Sequence, residues 1–387
     1  MKIARSVNRL GTEAVYSIFA KTKKLAKQGK KIIDLSLGQS DFKSPRHAVD
    51  ATIKALKDGH HGYTLPNGII ECREAVSRKI KSLYNADIDP ERIIIMPGGK
   101  PTMHYGISFF GEPGAEIIYP DPGFPIYESM INYTGAKAVP FDMTENRDFS
   151  INPDKVLSLI NEKTRLLILN NPHNPTGSFA DKSVVDKLAN ALLNYPNVAI
   201  LSDEIYGRLI FEKKEFPTFF NYPDLYDRLI VLDGWSKTYC MTGWRLGWSV
   251  WPEKLIEHVF RFCVNSHSCV NTPAQYGAIA ALDGPENHLK DMMKEFSIRR
   301  KLIVDGLRSL KGIECSLPGG SFFAFPNVKG TGMDGEKFTE KCLQEAGVVM
   351  IPGTAFGKFA TDHVRFNFAT SRQNISKAIE KIDKILK

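Results

Sequence analysis

The chain has 387 residues, of which 43% are hydrophobic and 24% are charged. This length favours two domains over a single core, and the composition is ordinary for a globular protein without an apolar run long enough to cross a bilayer. The basic residues behind the net charge of +8 are scattered, and no nucleic-acid motif is present, so we expect neither a nucleic-acid partner nor a membrane.

The cysteines and histidines show no metal-binding pattern. The six cysteines contain no C-x-x-C pair, and His60 and His61 are the only adjacent pair among the nine histidines. In a chain whose first residues lack the apolar segment of a secretory signal, such cysteines are expected to be reduced, buried thiols. We therefore expect a cytoplasmic protein without a metal site.

The first predicted element is a helix in residues 14–29, where apolar residues recur at helical spacing. Seven apolar runs bounded by turn signals then predict strands at residues 93–96, 116–119, 137–140, 165–169, 198–201, 229–232 and 246–250. Helical stretches such as residues 182–193 separate most of these runs. The pattern predicts an α/β fold with a seven-stranded, mostly parallel sheet covered by helices on both faces. The last two runs are too close for a covered crossover, so the last strand should be antiparallel.

The C-terminal hundred residues have an α+β pattern. A long amphipathic segment at 285–310 is followed by short predicted strands at 313–316, 321–325, 348–351 and 364–368, and then by a helix at 375–386. We expect a large domain of residues 46–285 and a small domain of residues 286–387. The N-terminal segment, residues 1–45, is expected to pack with the small domain.

Ligands of parallel α/β sheets bind beyond the carboxyl ends of the strands, so the residues after each strand are the candidates. Gly98 and Gly99 follow the first strand and precede Lys100 at the start of a predicted helix. Backbone N–H groups at such a turn can approach a phosphate. The turn has the spacing of neither a Walker loop nor a dinucleotide fingerprint, and a simple tight turn would have the same composition.

Polar side chains follow two later strands. Asn174 offers an amide that can bond a phenolate oxygen, whereas its neighbour His173 is as compatible with a packed loop residue as with a participant. Asp203, at the end of a buried strand, needs a cationic partner such as a protonated pyridine nitrogen, and Tyr206 can reach the other polar edge of such a ring. Asp203 could instead cap the following turn. Phe124 could stack on a flat cofactor or fill the core.

Lys237 and Arg245 lie eight residues apart, between two predicted strands. A lysine amine in a dry pocket becomes a nucleophile toward carbonyl carbon, and a guanidinium binds phosphate through paired hydrogen bonds. Pyridoxal phosphate requires both groups, because it carries an aldehyde and a phosphate. The alternative interpretation is that Lys237 and Arg245 are an ordinary lysine and arginine on a surface loop.

Taken together, these motifs resemble the class I aminotransferases, pyridoxal-phosphate enzymes of fold type I, and most closely the prokaryotic-type aspartate/aromatic aminotransferases. The resemblance covers nearly the whole chain, and six motifs occur in family order. They are Asp34-Leu35-Ser36-Leu37-Gly38, Gly62-Tyr63 with Arg73-Glu74, Asn174-Pro175-Thr176-Gly177, Asp203-Glu204-Ile205-Tyr206, Ser236-Lys237 with Gly243-Trp244-Arg245-Leu246-Gly247, and Val364-Arg365-Phe366.

The resemblance implies the contacts of the cofactor. Lys237 corresponds to the Schiff-base lysine and Asp203 to the partner of the pyridine nitrogen, and these two form the catalytic set with Tyr206. The other implied contacts are Asn174 and Tyr206 at the phenolic oxygen, Phe124 on the ring, and Arg245, Ser236 and the N–H groups of Gly99 and Lys100 at the phosphate. Gly234 is a departure, because many members have Ser or Thr there to bond the phosphate.

The resemblance also implies a shared site and a substrate clamp. Tyr63 corresponds to a tyrosine that reaches the phosphate of the neighbouring subunit in a homodimer. Arg365 corresponds to the residue that binds the substrate α-carboxylate, with Gly38 and Asn174 nearby. The implied activity is ping-pong transfer of an amino group from an L-amino acid to a 2-oxo acid, in which the freed amine of Lys237 acts as general base at Cα–H.

Alternative functions stay open at this point. A β-lyase acting on a sulfur amino acid would need the same lysine, aspartate and arginine. A cofactor-sensing regulator would need a DNA-binding domain, for which few residues precede Gly38, and a nucleotide-binding α/β enzyme would need a fingerprint that is missing. The donor is also open. Lys100 would suit aspartate or glutamate if it faces the substrate, but it could equally face solvent, and the aromatic-rich loops could favour aromatic or aliphatic donors.

Overall fold

The computed structural model describes residues 1–12, 18, 20–22, 27, 29–211 and 215–387. The helix predicted at residues 14–29 lies largely outside this part of the chain. A two-residue strand, β1 (Ile33–Asp34), precedes the seven strands of the central sheet. These are β2 (Ile93–Met96), β3 (Glu116–Asp121), β4 (Lys137–Asp142), β5 (Thr164–Asn170), β6 (Ala199–Asp203), β7 (Leu229–Gly234) and β8 (Gly247–Val250).

The strand order across the central sheet is β2-β8-β7-β6-β5-β3-β4. Strand β8 is antiparallel to its neighbours β2 and β7, and the pairings among β3, β4, β5, β6 and β7 are parallel. The prediction of a seven-stranded, mostly parallel sheet with an antiparallel last strand is confirmed. Each predicted run overlaps an observed strand.

Helices cover both faces of this sheet. They are α1 (Arg46–Lys57), α2 (Ile70–Tyr84), α3 (Lys100–Phe110), α4 (Ile126–Thr134), α5 (Pro153–Ser158), α6 (Lys182–Leu192), α7 (Trp235–Thr238), α8 (Ile256–Ser266) and α9 (Thr272–Asp283). Successive strand side chains point to opposite faces. Ile93 and Ile95 therefore join an apolar cluster with α1, α2, α6 and α9, whereas Ile94 and Met96 join one with α3, α4 and α8.

The C-terminal part contains α10 (Asn287–Ser309), α11 (Gly335–Lys341) and α12 (Arg372–Leu386), with the short strands β9 (Phe323–Ala324), β10 (Val348–Val349), β11 (Ile351–Pro352) and β12 (Val364–Asn367). Strands β11, β12 and β9 form an antiparallel sheet in that order. Strand β10 pairs in parallel with β1, so the chain returns here to its N-terminal segment.

Two predicted C-terminal strands differ from the observed ones. The run at 313–316 is not a strand, because it pairs only through an isolated bridge from Glu314 to Asn327. The run at 348–351 is divided between two sheets: β10 pairs with β1 and β11 pairs with β12, on either side of Met350. Apolar composition predicted extended chain in both places, but long-range partners decide where a ladder forms.

None of the helices in the described ranges is long and apolar enough to cross a membrane. The same residues contain no group of three or more His, Cys, Asp and Glu side chains placed to hold a metal ion.

Candidate active site

A cavity of about 280 Å³ lies at the carboxyl ends of the central strands, where the C-terminal part covers the sheet. The topology brings most of the predicted site residues to its wall. They are Gly38, Gly99, Lys100, Phe124, Asn174, Asp203, Tyr206, Ser236, Lys237, Arg245 and Arg365. Two residues that the motifs singled out lie elsewhere. Tyr63 is exposed at 92% of its surface, and His173 is buried against Thr176, away from the wall.

Lys237 lies in the short helix α7, directly after β7, and its half-buried side chain lines the cavity. The Nζ donates a hydrogen bond of 2.6 Å to the carbonyl oxygen of Gly38. Burial lowers the pKa of Lys237 to about 8, and the positive charges of Arg365 and Arg245 act in the same direction, against the charge of Asp203. At this pKa roughly a tenth of the amine is neutral and nucleophilic at pH 7, far more than for an ordinary lysine.

Asp203 is the last residue of β6 and is buried. Its Oδ2 accepts a hydrogen bond of 2.6 Å from the Tyr127 hydroxyl, and its Oδ1 accepts one of 3.2 Å from the backbone N–H of Ile205. Burial raises the pKa of Asp203 to about 6, and these two bonds oppose the rise. Sequence reasoning missed Tyr127. It follows Phe124 by three residues at the start of α4, a spacing that could have indicated a shared side.

Arg365 on β12 connects the C-terminal part to the central sheet. Its Nη1 donates to Asn174 Oδ1 at 2.9 Å, and its Nη2 donates to the carbonyl oxygen of Ser36 at 2.6 Å. The guanidinium carbon lies 4.4 Å from the ring centre of Phe323 and 4.6 Å from that of Phe356. The sequence did not single out these two phenylalanines, because their approach to Arg365 depends on long-range contacts.

The glycine turn after β2 places Arg245 next to a helix N-terminus. Gly98 has φ +90°, and a Cβ there would lie 2.2 Å from Arg245 Nη2. The guanidinium therefore fills the space that the missing side chain leaves. Arg245 also donates to the carbonyl oxygens of Thr242 at 2.8 Å and Pro97 at 3.3 Å. Helix α3 begins at Lys100, so its positive end and the guanidinium together can hold an anion.

Phe124 and Lys100 form the side of the cavity next to this candidate anion site. Phe124 is half-buried, and the Lys100 amine lies 5.5 Å from the centre of its ring. His173 is a packed loop residue, since its Nδ1 pairs with Thr176 Oγ1 at 2.8 Å and burial lowers its pKa to about 3. The cavity thus combines an amine, a buried carboxylate and two guanidinium groups.

Comparison with known proteins places this geometry in a family. The family model described as "Aminotransferase class I and II" matches residues 30–382. The chain belongs to this family. It is 37% identical to a probable aspartate aminotransferase of Methanocaldococcus jannaschii, over 91% of this chain and 93% of that protein. It is 33% identical to aromatic-amino-acid aminotransferase 2 of Thermococcus litoralis, over 92% of each.

Solved structures agree with the assignment. The aspartate aminotransferase of Rhizobium meliloti superimposes with a TM-score of 0.94 at 28% identity, over 100% of this chain and 99% of that one. The chain is therefore a pyridoxal-phosphate-dependent aminotransferase of fold type I, and it transfers an amino group between an amino acid and a 2-oxo acid.

The residues that line the cavity fit this cofactor in their chemistry. The neutral amine of Lys237 suits an aldehyde, and the buried carboxylate of Asp203 suits a protonated ring nitrogen. Near the other end, the turn at Gly98 and the guanidinium of Arg245 suit a phosphate dianion. The half-buried ring of Phe124 borders the space between them.

Proposed function

We propose that Lys237, Asp203 and Tyr206 form the catalytic set of this aminotransferase and that its amino donor is a dicarboxylic amino acid, aspartate or glutamate. The observation that supports the catalytic set is the pairing within one cavity of a half-buried lysine of lowered pKa with a buried carboxylate. Perturbed pairs of titratable groups in a cleft are typical of active sites.

In this proposal, the wall residues divide between the two ends of the cofactor, which supplies an aldehyde and an electron sink when it is bound. Asp203 holds a proton at the pyridine nitrogen, and Tyr127 orients that carboxylate. The remaining residues bind and orient: Asn174 and Tyr206 at the phenolic oxygen, Phe124 on the ring, and Arg245, Ser236 and the N–H groups of Gly99 and Lys100 at the phosphate.

Lys237 and Arg365 act on the substrate. The neutral amine of Lys237 would remove the proton from the Cα of the amino donor and, in the second half of the reaction, deliver a proton to the Cα of the newly formed amino acid. Arg365 binds the α-carboxylate through a charge-assisted pair, next to Gly38 and Asn174. Its hydrogen bonds to Asn174 and to Ser36 fix the direction of the guanidinium before the substrate arrives.

Replacing the proposed nucleophile tests the catalytic set. Lys237→Ala should remove the visible absorbance of the lysine-bound cofactor and reduce kcat by at least about 10³-fold, because both nucleophile and base are lost. Lys254→Ala, at an exposed lysine, is the matched control and should leave both properties unchanged. Wild-type transamination by Lys237→Ala would overturn the assignment. Stoichiometric pyruvate and ammonia from a sulfur amino acid, without an added 2-oxo acid, would identify a β-lyase.

The donor preference depends on Lys100, which lines the cavity beside Phe124. A cation at this position can pair with the side-chain carboxylate of aspartate or glutamate. We expect Lys100→Leu to raise the KM for aspartate and glutamate by about tenfold or more and to leave the KM for phenylalanine within about twofold, because only the dicarboxylic donors lose an ion pair. A panel of donors with 2-oxoglutarate measures this. Equal losses for all donors would reject the preference.

We also propose a homodimer with shared sites. Tyr63 is exposed at 92% of its surface, Leu65 at 57% and Ile70 at 38%. Neighbouring exposed apolar side chains of this kind favour burial against another copy of the chain. Tyr63 would then reach the phosphate bound by the partner subunit, and its absence from the cavity of one chain is consistent with this.

The proposed domains remain a large domain of residues 46–285, a small domain of residues 286–387 and an N-terminal segment of residues 1–45. An apolar cluster centred on α10 and α12 supports the small domain. The pairing of β1 with β10 supports the placement of residues 33–34 with that domain. The first residues make a different contact, since Arg9 donates to the carbonyl oxygens of Asn132 and Tyr133.

A further inference from the structure

Asp121, the last residue of β3, makes a contact that the catalytic set does not use. Its side chain is buried at the carboxyl end of this strand, which lies between β5 and β4 in the central sheet. The Oδ2 accepts a hydrogen bond of 3.2 Å from the backbone N–H of Lys358, and the Oδ1 accepts one of 3.3 Å from that of Phe359. One carboxylate thus binds two consecutive N–H groups of the loop at residues 353–360, which belongs to the C-terminal part. We call these two bonds the latch.

The loop is shaped to receive this carboxylate. Gly357 has φ +154°, and a Cβ at this position would lie 1.8 Å from Asp121 Oδ1. Any larger residue would occupy the place of the carboxylate oxygen. A third bond strengthens the contact, because the N–H of Gly123 donates to the carbonyl oxygen of Phe356 at 2.8 Å.

The latch lies next to the substrate clamp. Phe356 follows the loop's first turn, lines the cavity, and packs its ring 4.6 Å from the guanidinium of Arg365. On the other side of the contact, Phe124 and Pro125 follow Asp121 within four residues and also line the cavity. A shift of this loop would therefore move Phe356 relative to Arg365.

We propose that Asp121 is a positioning residue: its ionised carboxylate fastens the loop at residues 353–360 to the central sheet and thereby holds Phe356 against Arg365, so that the α-carboxylate site is complete only while the latch is formed. The proposal rests on the proposed role of Arg365 in binding the substrate.

The surroundings of Asp121 make the latch dependent on pH. Burial raises the pKa of this carboxyl to about 6, and the N–H groups of Lys358 and Phe359 oppose the rise. Glu128 from α4 raises the pKa further, and the ammonium group of Lys358 lowers it. Asp142, in register on β4, uses its carboxylate to hold Thr144. A carboxyl protonated below about pH 6 cannot accept both N–H groups as an anion, so the latch weakens as the pH falls through 6.

The test compares wild-type holoenzyme with Asp121→Asn. The asparagine amide would place an NH₂ group against one of the two N–H donors, which removes a charge-assisted bond. Hydrogen exchange in the peptide of residues 353–362, measured by mass spectrometry, should become about tenfold faster. The KM for the amino donor should rise by about tenfold. The acid limb of kcat/KM near pH 6, to which Asp203 also contributes, should become less steep because one of the two titrating carboxyls is gone. The cofactor absorbance should not change.

Two further variants make the result specific. Asp142→Asn introduces the same chemical change in register on the neighbouring strand and should leave the exchange and the KM unchanged. Gly357→Ala leaves the carboxylate intact but obstructs it, and should reproduce the faster exchange and the higher KM. If Asp121→Asn does not fold, Gly357→Ala carries the test.

The proposal would be overturned if Asp121→Asn kept the wild-type hydrogen exchange, KM and acid limb of kcat/KM. It would also be overturned if Gly357→Ala kept the wild-type hydrogen exchange and KM. A failure of the proposed function gives a different result: an Arg365→Leu variant with unchanged affinity for amino acids would reject the clamp, while the exchange measurement would still report on the latch.

Discussion

At the scale of single residues, the site depends on how burial and hydrogen bonds act on one carboxylate. Burial raises the pKa of Asp203 to about 6, while the Tyr127 hydroxyl and the N–H of Ile205 stabilise the charged form. The balance keeps Asp203 ionised near neutral pH, where a protonated pyridine nitrogen needs an anionic partner. A small loss of hydrogen bonding would shift this balance.

Tyr127→Phe tests the balance. Because the hydroxyl lowers the pKa of Asp203, its loss should raise that pKa and reduce the ionised fraction, with a cost of about 2 kcal/mol to the charged form. We expect cofactor affinity, measured by spectroscopic titration, to fall by about tenfold, and to fall more at pH 6.5 than at pH 8.5. Tyr133→Phe on the same helix is the control. A loss of affinity that is the same at both pH values would contradict the role of Tyr127.

At the scale of elements, the turn from β2 into α3 forms the proposed phosphate end of the site. The sequence predicted this turn from its consecutive glycines and predicted Arg245 from a separate motif. It could not predict that the two are complementary, because β8 reaches β2 only through the antiparallel pairing of the folded sheet. The absence of a side chain at Gly98 is what admits the guanidinium.

Gly98→Ala should therefore weaken cofactor binding. A Cβ at a residue with φ +90°, only 2.2 Å from Arg245 Nη2, forces both the turn and the guanidinium to move. We expect at least about a tenfold rise in the cofactor Kd, which corresponds to the loss of one charge-assisted bond. Gly243→Ala is the matched control, because nothing lies within 4 Å of a Cβ there. Equal affinities of the two variants would show that Arg245 does not depend on the turn.

At the scale of the whole molecule, the proposed role of Tyr63 means that a single chain cannot complete the phosphate end of its own site. Tyr63 and Leu65 are exposed on a segment between α1 and α2, away from the cavity of their own chain. In the proposed homodimer, Tyr63 and Leu65 are exposed only in the isolated chain and are buried against the partner subunit.

We expect the protein to have twice the chain mass of 43.3 kDa in light scattering. Leu65→Arg should shift the mass toward that of one chain, because a buried, unpaired charge costs several kcal/mol at an interface. Leu193→Arg is the control, since Leu193 is exposed to a similar degree, 44% against 57%, on another surface. Tyr63→Phe should keep the mass and weaken cofactor binding. A wild-type protein with the mass of one chain would exclude the shared site.

The sequence by itself determined the strands of the central sheet, because local apolar patterns carry that information. It indicated the lysine and the aspartate as residues that follow strands, Arg245 through its spacing from the lysine, and Arg365 through the family resemblance alone. The tertiary structure alone decided which groups meet: Tyr127 with Asp203, Phe356 with Arg365, and Asp121 with the loop at residues 353–360. These contacts join residues far apart in the chain. The pKa values of Lys237 and Asp203 follow from the same cause, since burial, which no local pattern fixes, is the largest contribution to both shifts.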